Sequence, residues 1–172
     1  MNQIRKVKIE YAKMEDVPVI LHIMDVAFKL IANPDWYCLD SEELVRAHIG
    51  EAGFTLKAVV DGEIAGFLSV RYPGTEEDNL GGYIGLGEEK KDLVAHMESA
   101  AVLPEYRGLR IQNRLMAEGF EILKNTEFKY VMGTAHPDNV FSVNNFLKLG
   151  YEIVADVEKY GGLRRYVFSK TI

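Results

Sequence analysis

Two groups of residues in this chain have types and spacing that could do chemistry. The first lies in Ala101 to Leu115, AVLPEYRGLRIQNRL, which reads as a buried strand, a tight basic turn, and a helix whose first turn carries Arg107, Arg110 and Arg114. The first backbone N–H groups of a helix have no internal partner, and the macrodipole leaves partial positive charge there. A strand feeding a helix through an Arg/Gly turn is therefore an anion site. Extra arginines favour a doubly or triply charged ligand, and a pyrophosphate fits. The second group is His96 and Glu98, two apart on the strand Leu93 to Leu103 and hence on one face. A buried glutamate has its pKa raised toward a working range, and a histidine starts there, so either could take a proton at neutral pH. The pair reads equally well as a structural hydrogen bond or a solvated strand end, and the residues alone leave both open.

These groups need elements to hold them. Val7 to Tyr11 alternates as a short strand, and Val17, Ile20, Leu21, Met24, Phe28 and Ile31 recur at helical spacing, with Pro18 tolerated in the first turn. Asn33-Pro34-Asp35 ends that helix, and Asp40 with Glu43 frames a capping box for a second one through about Ile49. Phe54 to Val60 and Glu63 to Arg71 are apolar runs joined by Asp61-Gly62, a hairpin signal. The glycine-rich connection Tyr72 to about Asp92 is long enough to suggest a functional lid, disorder, or both. After the Leu93 to Leu103 strand, a helix opens at Gly108 or Leu109. Tyr130 to Ala135 is a strand, Asn139 to Leu149 a helix capped by Asp138 or Asn139 and ended by Gly150. Tyr151 to Val157 and Leu163 to Ser169 are the last strands, and the exposed final strand could pair two chains as a homodimer. The order βααβββαβαββ predicts an α/β protein built on one mixed sheet, with residues 1–172 as a single domain.

Composition narrows the function classes. The 172 residues suffice for one substantial core, and 48% hydrophobic with 27% charged residues is ordinary for a globular protein. A net charge of −6 argues against a nucleic-acid partner and is compatible with an amine-bearing one. Cys38 is the only cysteine, so no internal disulfide forms and a reducing compartment is favoured. Met1 to Tyr11 lacks the continuous apolar run of a leader, and Val17 to Ala32 is broken by His22, Asp25 and Lys29, so no membrane association is expected. Together these point to the cytoplasm. The four histidines and the cysteine have no metal-ligand spacing.

Two separated motifs resemble the GNAT superfamily of acyl-CoA-dependent N-acetyltransferases. AVLPEYRGLRIQ resembles the family's strand-loop-helix pattern Arg/Gln-x-x-Gly-x-Gly/Ala. NVFSVNNFLKLGY, Asn139 to Tyr151, resembles Asn-x-x-Ala-x-x-x-Tyr-x-x-x-Gly-Phe, about 30 residues further on. The resemblance implies acetyl-CoA as cosubstrate and an amine acceptor. It implicates the backbone of Ala101, Val102 and Leu103 for the pantetheine arm, and Arg107, Gly108, Leu109, Arg110, Ile111 and Gln112 for the pyrophosphate. Asn139 and Phe146 would line the cofactor. It implies Glu98 as catalytic base, with His96 second. Three residues depart from the pattern: Arg110 stands where the family has Gly, Gln112 where it has a small residue, and Phe146 where a Tyr often protonates the leaving thiolate. An Arg in a helical first turn is sterically acceptable and adds a donor.

The resemblance also puts Trp36 and Tyr37 where an acceptor pocket is often built, although an aromatic there can equally be a core plug. Glu76, Glu77 and Asp78 could attract a cationic acceptor or be plain solvated surface, and His136-Pro137-Asp138 could reach the acceptor side. Arg107 and Arg110 could instead pair with Glu105 or Glu118. The competing function is a non-catalytic acyl-CoA-binding or regulatory domain. A P-loop enzyme is disfavoured, because the turn lacks the glycine-rich cradle and its Lys-Ser/Thr.

Overall fold

The computed structural model describes residues 4–172; residues 1–3 of the opening stretch read above lie outside the described residues. The strands are β1 (Val7–Tyr11), β2 (Gly53–Val60), β3 (Glu63–Arg71), β4 (Val94–Val102), β5 (Tyr130–Ala135), β6 (Glu152–Lys159) and β7 (Leu163–Thr171). They form one sheet in the order β1-β2-β3-β4-β5-β7-β6. The helices are α1 (Val17–Leu30), α2 (Glu42–Ala47), α3 (Ile111–Lys124) and α4 (Val140–Lys148), which completes the expected element order. Asp61 and Gly62, at φ 51° and 84°, make the tight turn that feeds β2 into β3. Only β4 and β5 run parallel, and α3 is the crossover that such a pair requires.

Each face of the sheet has its own apolar cover. On one side Leu115, Met116 and Leu123 of α3 pack with Leu68, Val70, Ala95 and Met97. On the other, Val17, Ile20, Ile23 and Met24 of α1 and Val45 of α2 pack with Phe67 and Ala101. Burial of each large side chain contributes about 1.5–3 kcal/mol, so the two layers fix the sheet between them.

Three sequence expectations are corrected here. The cap of α2 is Ser41, whose hydroxyl accepts the Leu44 N–H, while Asp40 turns inward and the helix stops at Ala47. The connection from Tyr72 to Asp92 is neither structureless nor disordered. It forms two 3-10 turns, Leu80–Ile84 and Glu88–Leu93, tied together by Asn79, whose amide donates to the Gly74 and Lys91 carbonyls. Leu80 is buried against Val94, Met132 and Val167. The final strand is not an edge either. β7 lies between β5 and β6, and the outer strand β6 carries Glu152, Asp156, Glu158 and Lys159, charges that discourage pairing with another chain. Among the described residues no helix is long and apolar enough to cross a membrane.

Two irregularities of β4 prepare a site. The ladder with β3 pairs Ser69 with Ser99 and then Val70 with Met97, so Glu98 has no residue opposite it. This is a β-bulge, and it explains why Met97 and Ala100, three apart, both pack on the α3 side. The pairing of β4 with β5 stops at Met97–Gly133. Beyond that point the two strands part, and no described strand pairs with that edge of β4.

Candidate active site

A cavity of about 570 Å³ fills the notch where β4 and β5 separate. Its floor is the open edge of β4, its walls come from α1, the loop after α1 and α4, and its ends are chemically unlike.

One end is the turn into α3. A 3-10 turn, Pro104–Tyr106, leads to Gly108 at φ 86° and Arg110 at φ 58°, ψ 32°. The helix opens at Ile111 rather than at Gly108 or Leu109, and the Arg110 carbonyl accepts the Arg114 N–H at 3.0 Å. Arg110 is therefore the N-cap residue and not part of the first turn, as the sequence had suggested. Its left-handed backbone costs a non-glycine residue about 1–2 kcal/mol, which is the physical reason a glycine would sit easily there. Arg107 and Arg110 are exposed, and no carboxylate of the described residues lies within ion-pair distance of either, so the pairs with Glu105 or Glu118 do not form. Arg107, Gly108, Arg110, Ile111 and Gln112 line the cavity. Leu109 instead packs on the core, and Arg114 turns away to donate to the Val7 carbonyl at 3.4 Å.

Along the floor, Ala101 and Val102 line the cavity, whereas Leu103 turns back to donate its N–H to the Ala65 carbonyl. On the α4 wall, the Asn139 side chain caps its helix by accepting the Ser142 N–H at 3.4 Å. The Phe146 ring stacks on Phe168 with centroids 4.3 Å apart, and it presses on Gly133 so closely that a Cβ there would lie 2.6 Å from Cζ. Both Asn139 and Phe146 face the cavity.

The other end is built from side chains. Glu98 reaches Arg71 Nη1 through Oε1 and His96 Nδ1 through Oε2, each at 3.5 Å. Arg71 also forms a two-point pair with Asp78, at 2.7 and 2.9 Å. His96 is buried, outside the cavity wall, and its Nε2 accepts the Leu80 N–H at 3.1 Å. The ring proton is then on Nδ1, directed at Glu98. Burial pushes the Glu98 carboxyl up, but the hydrogen bond from His96, together with Arg71 and His48, outweighs it and holds the group below its ordinary range. The expected upward shift is thus reversed, because Glu98 is buried among cationic and donor groups instead of apolar ones. Glu98 is ionised at neutral pH and places a negative charge at this end of the cavity.

Asp40, His48 and Ser99 were not among the sequence candidates, whereas Trp36, Tyr37, His136 and the Glu76–Asp78 run were. Asp40, read as a cap, has its Oδ2 buried without a hydrogen-bond partner among the described residues. Burial and then the Glu98 charge raise its carboxyl to about 6. Two carboxylates pushed apart in this way divide into one ionised and one readily protonated group. His48 is buried, with Nδ1 unpartnered among the described residues, and burial lowers its pKa. Tyr37 and Ser99 join their hydroxyls at 2.8 Å on the cavity wall. Trp36 lines the cavity as well, with its indole Nε1 buried and unpartnered among the described residues, and His136 lies 6.3 Å from its ring. Glu76 and Glu77 are exposed, and only Asp78 of that run joins the network. Spacing could not reveal Arg71 or Asp40, because pairing across the sheet and a loop inversion bring them in.

The pattern of the acetyltransferase (GNAT) family matches residues 24–151. Among solved structures, the ribosomal-protein-S18-alanine N-acetyltransferase of Escherichia coli superposes with a TM-score of 0.72 at 17% identity, covering 97% of this chain and 94% of that one. The ribosomal-protein-alanine N-acetyltransferase of Brucella melitensis gives 0.70 at 20% identity, covering 96% and 99%. YncA of Salmonella typhimurium, solved with its cofactor acetyl-CoA, gives 0.69 at 16% identity, covering 96% and 94%. At these identities the structures establish likeness of fold alone. No curated protein sequence matches the chain.

Proposed function

The chain belongs to the GNAT acetyltransferase family, and on that footing we propose that it moves acetyl from acetyl-CoA to a primary amine by direct attack of the amine on the thioester. The observation that carries this reading is the layout of one cavity. A cationic helix N-terminus stands at one end, an open strand edge forms the floor, and an ionised carboxylate stands at the other end. An extended donor with a pyrophosphate head and an amide-bearing arm fits that sequence of features. Arg107, Arg110 and the free amides of the first turn of α3 would hold the phosphates, and the edge at Ala101–Val102 would pair with the arm.

The role of Glu98 follows from its charge. It draws in the acceptor's ammonium group and takes the proton, so that a neutral amine attacks the thioester carbonyl. Backbone N–H groups along the open edge of β4 stabilise the oxyanion, and positioning supplies much of the acceleration. His96 is a positioning residue in this scheme, because both its nitrogens are already engaged. We further read residues 1–172 as one domain, since a single sheet joins β1 to β7, and place it in the cytoplasm on its lone cysteine, Cys38, which suits a reducing compartment.

The test is release of thiol from acetyl-CoA against a panel of amines. Since two of the superposed enzymes are named for ribosomal-protein alanine, the panel includes a peptide beginning with alanine, beside free lysine and spermidine. Release above the amine-free rate with at least one of them is expected. Protection from thermal unfolding by CoA with no turnover on any amine would favour the acyl-CoA-binding domain instead.

A further inference from the structure

Aminolysis of a thioester expels a thiolate, and that sulfur must take up a proton before the product leaves. Phe146 has no proton to give, and its Cζ is occupied against Gly133. Four hydroxyl groups line the cavity, those of Tyr37, Ser99, Tyr106 and Ser142. Tyr106 belongs to the phosphate end, in the 3-10 turn before Arg107, with the Arg5 guanidinium 4.8 Å over its ring. Ser142 sits in the first turn of α4, its backbone held by Asn139. Tyr37 and Ser99 alone are at the acyl end, beside Glu98.

Their geometry is fixed from both sides. The bulge at Glu98 makes Glu98 and Ser99 consecutive along the cavity wall. The loop that carries Tyr37 is stiffened by the Pro34–Trp36 turn, which Asn33 caps. It is also tied to β7 by buried Arg165, whose Nη2 donates to the Asp35 carbonyl at 2.7 Å. The phenol of Tyr37 is buried, and burial, partly offset by the Ser99 hydrogen bond, keeps it protonated throughout the working range.

We propose that the Tyr37–Ser99 hydroxyl pair is the proton donor to the departing CoA thiolate. This rests on the acetyltransferase reading above. Glu98 has by then passed the ammonium proton on to water, so as the C–N bond forms it takes the second proton that the nitrogen sheds. As the C–S bond breaks, its electron pair goes to sulfur, which takes a proton from the hydroxyl pair. Solvent water returns a proton to the pair and removes the one on Glu98, so the sum is amine plus thioester giving amide plus thiol.

Bound CoA itself reports on the contact, without any acceptor. Alkylation of its thiol by iodoacetamide is followed against pH under excess protein, reading the alkylated CoA by chromatography so that exposed Cys38 does not contribute. Hydroxyls aimed at the sulfur stabilise the thiolate. The midpoint is therefore expected to rise by about one pH unit in Tyr37→Phe and in Ser99→Ala, the loss of one hydrogen bond to a charged group. The same midpoint in the wild type and both variants, with CoA bound, overturns the proposal. Failure of the wild type to bind CoA removes the acetyltransferase reading and this proposal together. The serine variant deletes one oxygen and answers the question even where the tyrosine variant folds poorly.

Discussion

The two ends of the cavity are made in different ways. The proposed phosphate end is largely main chain, with the Arg107 and Arg110 side chains beside it: amides at the start of α3, a left-handed Arg110 and a strand edge, all within Ala101 to Gln112. The proposed acyl end is side chain: Glu98 and His96 from β4, Arg71 from β3, Asp78 from the loop beyond it, and Tyr37 and Asp40 from the loop after α1. A backbone site tolerates substitution, because every residue brings the same amide. A side-chain site does not, because each member sets the charge state of the next. The first kind suits a ligand part that never changes, and the second suits an acceptor that each enzyme must choose for itself.

That contrast can be broken by experiment. Glu98→Gln keeps shape and removes the charge, so kcat/KM is expected to fall by about 10²-fold or more, while CoA affinity at the far end stays near the wild-type value. Steady-state kinetics beside calorimetric titration with CoA would separate the two, and an equal loss in both would erase the distinction.

Asp40→Asn probes the strained member of the acyl end. The folded Asp40 carboxyl is raised from 3.8 to about 6, so its ionisation opposes folding. The wild type should lose stability as pH climbs from about 4 through 6, where the native state binds more protons than the unfolded one. The asparagine variant should gain up to about 3 kcal/mol above that window and nothing near pH 4. Denaturant midpoints at pH 4 and 8 check it, and an equal gain at both would refute the sign.

Arg110→Gly is the smallest and the most two-sided. Relief of the left-handed backbone should add about 1 kcal/mol of stability, while loss of the guanidinium weakens CoA binding a few-fold. A thermal melt and a CoA titration on one preparation suffice. A variant that loses on both counts would show that Arg110 packs as well as binds.

Legibility followed the same division. The Asp61-Gly62 hairpin, the Asn139 cap and the basic turn are local signals, spelled by neighbours in sequence, and the fold and the cationic turn into α3 could be read from them. Even there, α3 starts later than the sequence predicts, because nothing in an arginine announces a left-handed backbone. The acyl end depended on contacts between distant segments. Arg71 meets Glu98 across 27 positions and Tyr37 meets Ser99 across 62, so neither pair leaves a spacing to notice. The direction of the Glu98 shift turned on the same contacts: burial was foreseeable, and the cations around it were not.

The bulge in β4 has a consequence for how such a chain can change. Glu98 is the one residue between His96 and Val102 that the ladder with β3 skips, and so the one whose side chain can be exchanged with least disturbance to the register on either side. Architecture and chemistry are edited separately at that point. A lineage could try new reactions at position 98 while the sheet that carries it goes on folding as before.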